Sequence, residues 1–259
     1  MLSRFKALPD SALYVLVVLL SGASAAAWAA HPLMTEDTGT QGRGKYQLEM
    51  QFERGRDVEG DTTEESSSFA TVLAYGFHER ADLIVTLPYE RVRTIVDGDT
   101  SAERGRGDVA ADVKWRFYEE GNLSFALKSG VTLPTGDEDR GLGTGKSNAS
   151  VLLIASIDLE PVELHITAGY LGNRNVADEK TRIRHLSVGG LVSVGDVKLV
   201  ADVGRYTTVD RSLDKSSVFG VLGAIWSPND DVDLDVGMKW GLSDPETDRA
   251  LLVGATLRF

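Results

Sequence analysis

Arg249-Ala-Leu-Leu-Val-Gly-Ala-Thr-Leu-Arg-Phe259 decides the fold. Successive side chains of a strand point to opposite faces. Leu251, Val253, Ala255, Leu257 and Phe259 therefore share one face, and Ala250, Leu252, Gly254, Thr256 and Arg258 share the other. The first face is apolar throughout; the second is smaller and more polar. A strand of about ten residues with one greasy face, closed by an aromatic, suits the wall of an outer-membrane β-barrel. Taken alone it suits a sandwich strand equally well, and the rest of the chain separates the two.

Working backwards, the same period of two recurs about twelve times, near 44–54, 67–78, 81–93, 107–118, 122–133, 147–159, 162–172, 183–194, 197–206, 216–226, 231–241 and 249–259. Val109, Ala111, Val113, Trp115 and Phe117 oppose Asp108, Ala110, Asp112, Lys114 and Arg116. Val232, Leu234, Val236, Met238 and Trp240 oppose Asp231, Asp233, Asp235 and Lys239. No segment after the N-terminal stretch has the 3.6 period of a helix.

The connections alternate in length. Short turns stand at 78–80, 119–121, 159–161, 195–196 and 227–230, and longer polar links near 55–66, 94–106, 134–146, 173–182, 207–215 and 242–248. This alternation belongs to bacterial outer-membrane barrels, with short turns periplasmic and long loops outside. The fold class is thus all-β: a single closed antiparallel transmembrane barrel of about twelve strands, its charged faces toward the lumen. Lipid cannot hydrogen-bond a bare sheet edge, so the sheet must close. Aromatics near strand ends (Tyr46, Phe52, Phe77, Tyr89, Trp115, Phe117, Tyr170, Trp226, Trp240 and Phe259) fit two interfacial girdles.

The N-terminal stretch fixes the compartment. Arg4 and Lys6 precede an apolar run from Ala12 to Leu20, and Ala27-Trp28-Ala29 fits small-x-small cleavage. Residues 1–29 read as a cleaved signal peptide, residues 30–43 as a periplasmic N-terminal segment and residues 44–259 as the barrel. The segment has no strand pattern, and it either threads into the barrel or lies beneath it. With no Cys anywhere, a lipoprotein anchor and disulfides are excluded. A net charge of −12 argues against nucleic acid as a partner. The expected partners are outer-membrane lipid and lipopolysaccharide, a small solute, and the barrel-assembly machinery, for which Phe259 is the assembly signal.

The candidate pore-lining acids are Glu49, Asp108, Asp112, Glu163, Asp202, Asp231, Asp233 and Asp235; the candidate bases are Lys114, Arg116, Lys128, Lys198, Lys239 and Arg258, with His165. Two readings follow: a polar pore favouring cations, or a structural barrel whose charges pair across strands and fill it. Asp231, Asp233 and Asp235 form a possible acidic ladder near the periplasmic mouth unless Lys198 and Arg258 neutralise it. Glu163, His165, His185 and Ser187 point inward on adjacent strands and allow a remote hydrolase reading, which is not adopted: no catalytic, metal or cofactor site is expected. Gly141-Leu-Gly-Thr-Gly145 lacks the Lys-Ser/Thr ending of a phosphate loop and reads as an external loop. The acidic stretches at 57–65 and 137–139 read as solvated charge rather than a divalent-cation site bridging lipopolysaccharide.

His31-Pro-Leu-Met-Thr-Glu-Asp-Thr-Gly-Thr-Gln-Gly-Arg-Gly-Lys-Tyr-Gln-Leu-Glu49 resembles the opening of an outer-membrane family labelled for a MetA pathway of phenol degradation, also called simply transporter. Asp82-Leu-Ile-Val-Thr-Leu-Pro-Tyr89, Gly107-Asp-Val-Ala-Ala-Asp-Val-Lys-Trp115 and Gly130-Val-Thr-Leu-Pro-Thr-Gly-Asp137 are similar to it as well. The resemblance implies a barrel and a link to aromatic or other apolar compounds.

Overall fold

The computed structural model describes residues 31–259; the signal peptide expected over 1–29 lies outside the described residues. In chain order the strands are β1 (Tyr46–Glu59), β2 (Thr62–His78), β3 (Ala81–Val96), β4 (Asp99–Arg106), β5 (Val109–Glu120), β6 (Leu123–Leu133), β7 (Asn148–Asp158), β8 (Val162–Gly172), β9 (Arg182–Val194), β10 (Val197–Thr207), β11 (Ser216–Asn229), β12 (Val232–Gly241) and β13 (Arg249–Arg258). Each pairs antiparallel with its ring neighbours, and β1 closes on β13 from Gln47↔Arg258 to Arg56↔Arg249. The barrel has twelve strands, because β4 adds to the ring without widening it. The lower part of β3 pairs with β5 (Ala81 to Thr86) and the upper part with β4 (Tyr89 to Val96), while the chain descends through both partners.

The interruption has a chemical cause at Pro88. Its carbonyl accepts from the Gly107 N–H at 3.1 Å, so in an antiparallel ladder its missing N–H would have pointed to that same neighbour. The ladder breaks there and resumes above, whereas pairing with β2 on the other side runs unbroken through Ala70↔Pro88.

Two links expected to be long loops are strand instead. Residues 55–66 and 94–106 pair up to Glu59↔Thr62 and Val96↔Asp99, joined by two-residue turns. Asp97 and Gly98 both have positive φ (52° and 88°), the geometry that matches the twist of a tight hairpin. Above the membrane both faces of the sheet meet water, so the period of two disappears from the sequence although the strands continue. The links at 134–147, 173–181, 208–215 and 242–248 remain loops.

Burial is inverted relative to a soluble protein. Trp115, Leu199 and Leu222 are more than half exposed on the outer face (52%, 55% and 58%), whereas Asp82 and Lys128 are buried at 0% and 3%. Such a surface belongs in lipid, with the charged groups enclosed. Aromatic rings mark both borders. At the turn end Tyr46 stacks on Tyr75 (4.7 Å) and Phe259 (5.8 Å), and Trp115, Phe117 and Phe125 follow one another on β5 and β6. At the loop end Phe52, Phe69 and Tyr89 stand in one row across β1, β2 and β3.

Phe259 closes the ring as well as the girdle: its N–H donates to the Tyr46 carbonyl at 3.0 Å and its carbonyl accepts from the Tyr46 N–H at 2.7 Å. Deleting Phe259 removes both bonds and the stacked ring, a loss of about 2 kcal/mol. Phe259→Ala, which keeps the backbone bonds, is expected to cost about 1 kcal/mol. The fraction of heat-modifiable, folded band on cold gels should fall in that order. An unchanged band for the deletion would contradict this role.

Candidate functional site

The lumen is organised around residues 31–44, which run inside the ring and pass nearly the whole way around its inner wall. Of the two placements open from sequence, inside the barrel or beneath it, the structure has the former. The His31 ring bonds Asp235 on β12. Pro32 lies against Gly223 and Gly237, and Thr35 against Gly189; a Cβ at each glycine would come within about 3 Å of the segment. Leu33 fills a socket of Leu191, Val200 and Ile225. Three donors, the Met34 N–H (2.6 Å), the Thr35 N–H (2.7 Å) and the Thr35 hydroxyl (2.7 Å), converge on Asp202 of β10. The Glu36 N–H then donates to the Thr167 hydroxyl at 2.9 Å, and the Thr38 N–H to the Ser156 hydroxyl at 3.1 Å. Gln41 reaches Asp82 on β3 at 3.0 Å, and the Gly44 N–H bonds the Gly76 carbonyl of β2 at 2.7 Å. A chain without a hydrogen-bonding strand neighbour must find side-chain acceptors, and the inward hydroxyls and carboxylates supply them.

Glu36 is fully buried at the centre of this path. Lys128 bonds its carboxylate directly and Lys114 stands 3.9 Å away; Lys114 also approaches Asp37 at 3.5 Å. The two wall lysines are thus consumed by the segment rather than left facing solvent. Other candidate residues are paired between strands, Glu163 with Lys198 (3.6 Å), Lys239 with Glu53 (2.9 Å) and Arg258 with Asp233; Lys239 also meets Glu246 of a loop (3.4 Å), and Arg116 meets Glu119 of its own strand (3.4 Å). Glu49 is held between the amides of Gln47 (2.5 Å) and Gln51 (2.7 Å). Asp112 faces Gly130, whose lack of a side chain leaves it room.

The acidic ladder does not form. Asp231 belongs to the turn before β12 and is exposed, so it does not line the lumen. Asp233 is taken by Arg258 and by the Ser227 hydroxyl (2.6 Å), and Asp235 by His31. The hydrolase constellation is not assembled either. The His165 ring bonds the Ser156 hydroxyl at 2.8 Å, and His185 bonds Ser187 at 3.0 Å while stacking on Tyr206 at 4.3 Å. Glu163 is turned to Lys198, and the second nitrogen of His185 has no partner among the described residues. Among the described residues, no carboxylate hydrogen-bonds either ring.

Asp108 does its work at the loop end. Its carboxylate accepts from the Gly136 N–H (2.9 Å), the Thr144 N–H (2.8 Å) and the Thr144 hydroxyl (2.8 Å), drawing 136–144 against the wall. Within that loop Leu142 is buried, lying near Gly105. Between these loops and the segment lies a cavity of about 260 Å³. Leu33, Met34 and Lys128 contribute to its floor, one side carries apolar side chains (Leu152, Leu171, Ile183, Tyr206, Phe219 and Leu252), interrupted at β12 by Lys239 with its partner Glu246, and the other is polar (Ser66, Ser68, Glu90, Asp112 and Asn148). The apolar wall went unread in the sequence because single inward Leu or Ile residues, such as Leu171 and Ile183, are scattered over several strands.

Asp202→Ala removes the acceptor for three donors from the segment, a local loss of about 3 kcal/mol or more. Lys128→Met leaves Glu36 buried beside a single distant ammonium, with a cost of about 3–5 kcal/mol. Both should release residues 31–43 to added protease while the strands stay folded. Full protection in both folded variants would show that the segment is held by something else.

Among solved structures, similar ones are an outer-membrane channel from Pseudomonas putida F1 (14% identity, 86% of this chain and 98% of that one, TM-score 0.74), the KdgM porin (7%, 82% and 99%, TM-score 0.54), and the translocator domain of the autotransporter NalP from Neisseria meningitidis (13%, 86% and 91%, TM-score 0.52). At these identities the likeness is one of fold: a bacterial outer-membrane barrel. No curated protein matches the chain. A family model described as "Putative MetA-pathway of phenol degradation" matches residues 31–259, which is every residue of the ring and of the segment inside it, and the chain belongs to that family.

Proposed function

We propose that the protein is a narrow outer-membrane channel for small, weakly polar solutes about the size of one aromatic ring. The apolar wall of the cavity directly above the N-terminal segment carries this reading. A lumen built only to pass water and ions has no use for Leu152, Leu171, Ile183, Phe219 and Leu252 on inward positions. The cavity, about 260 Å³, is smaller than most drug-sized sites and suits a single small molecule.

The energetics suit transit. Covering about 150 Å² of ring surface at about 25 cal/mol per Å² gives close to 4 kcal/mol, a millimolar affinity. A solute held that weakly enters and leaves readily, which passage requires. The family description, which names phenol degradation, and the channel and porin descriptions of similar structures agree with this reading. One observation favours the alternative, a non-conducting structural barrel: the segment fills the lower lumen and is bonded to the wall through Asp202, Thr167 and Ser156.

Uptake of a radiolabelled monocyclic aromatic at micromolar concentration, measured in cells poor in other porins, separates the two. The protein should speed uptake severalfold over the empty vector, and Leu171→Asp with Ile183→Asp should abolish the gain. In planar bilayers the intact chain should pass little ion current, and deletion of 32–41 should raise it. Uptake equal to the vector would favour the structural barrel; a large cation current through the intact chain would contradict the apolar reading.

A further inference from the structure

The outer face of the barrel carries a charge arrangement that the channel does not use. Immediately above the loop-end aromatic row, guanidiniums replace apolar side chains at the next outward positions. Arg54 follows Phe52 on β1, Arg91 follows Tyr89 on β3, and Arg104 on β4 is level with Arg91. Arg56 on β1 and Arg249 on β13 extend the patch by one more outward step. In a chain whose net charge is −12, a basic patch over two adjacent rows on one side is a local exception.

Two features point to an anion lying on it. Arg56 stands directly opposite Arg249 across β1 and β13, and Arg91 directly opposite Arg104 across β3 and β4. Like charges directly opposite one another destabilise a sheet. None of these five guanidiniums has an ion pair or hydrogen bond among the described residues, and the nearby acid Glu65 is engaged by Arg93 at 3.3 Å. The second feature is a notch of about 240 Å³ lined by Arg54, Arg56 and Arg249, by the apolar side chains of Met238 and Leu251, and by Glu65, whose carboxylate is engaged by Arg93 and leaves the three guanidiniums in excess. It offers hydrocarbon contact below and guanidinium above.

We infer that this face binds the phosphorylated headgroup of an outer-leaflet glycolipid, the lipid A part of lipopolysaccharide. A phosphate between Arg56 and Arg249 turns a repelling pair into two charge-assisted, fork-shaped contacts. The adjoining acyl chain lies on Met238 and Leu251. Free phosphate would satisfy the guanidiniums but leave the apolar floor bare, and the border position, within two outward steps of the lipid-facing rings, places the site where a lipid headgroup resides.

The test uses the full mature chain refolded in zwitterionic detergent, with bisphosphorylated lipid A, dephosphorylated lipid A and inorganic phosphate as probes. Unfolding is followed by loss of the heat-modifiable band, and bound lipid by native mass spectrometry. Bisphosphorylated lipid A should raise the unfolding temperature and remain bound, and the other two should not. R56Q combined with R249Q should weaken the lipid's apparent affinity by about tenfold or more. Without lipid, that variant should be at least as stable as the parent, because the repelling pair is gone. Single R249Q serves if the double variant fails to fold, and should lose affinity in the same direction. Unchanged affinity in a folded variant, or equal protection by inorganic phosphate or dephosphorylated lipid A, would overturn the assignment.

Discussion

Lipid offers the backbone no hydrogen-bond partner, and every other feature of this structure follows from that constraint. The sheet has to close, so β1 must meet β13, and the two backbone bonds between Tyr46 and Phe259 extend the seam. The outer side chains have to be apolar, so nearly all charge within the membrane is driven inward. A lumen so charged then needs its own neutralisation. It finds part of it across the wall, as in Lys239 with Glu53 and Glu246, and part in a segment brought in from the N-terminus, as in Glu36 with Lys128 and Lys114.

Three levels result along the barrel axis. At the turn end the segment occupies the lumen, bound through Asp202, Thr167, Ser156 and Asp82. At the loop end Asp108 and Lys239 draw two loops against the wall. The cavity between them is where several inward side chains are apolar, since much of the charge of the levels above and below is paired within the protein. The cavity presents hydrocarbon mainly on one side and hydroxyl and carboxylate groups on the other.

The ring and the direction of its faces were legible in the sequence wherever lipid enforces alternation. Val109 to Phe117 and Val232 to Trp240 read unambiguously, since each outward position there is apolar. Residues 55–66 and 94–106 were read as loops because they project beyond lipid, where nothing demands a period of two. The identity of the lumen face was legible too, but not its partners. The segment and its acceptors are far apart in sequence, 167 residues between Thr35 and Asp202, and no local pattern links them. A signal did exist in the inward glycines Gly189, Gly223 and Gly237, which leave a track in the wall that Pro32 and Thr35 occupy. Asp231, by contrast, kept the spacing of Asp233 and Asp235 yet fell on the turn, because periodicity does not say where a strand ends.

The central claim is that the N-terminal segment rests inside the closed ring in the membrane. The chain has no cysteine of its own, so a Thr35→Cys, Gly189→Cys pair reports on this contact alone. A Cβ at Gly189 would lie 3.0 Å from the Thr35 Cβ, close enough for a disulfide after small adjustment. Oxidation of intact outer membranes, read as a thiol-labelling loss and a reducible gel shift, should cross-link most of the folded protein. A folded barrel in which both thiols stay free and label fully would contradict the account.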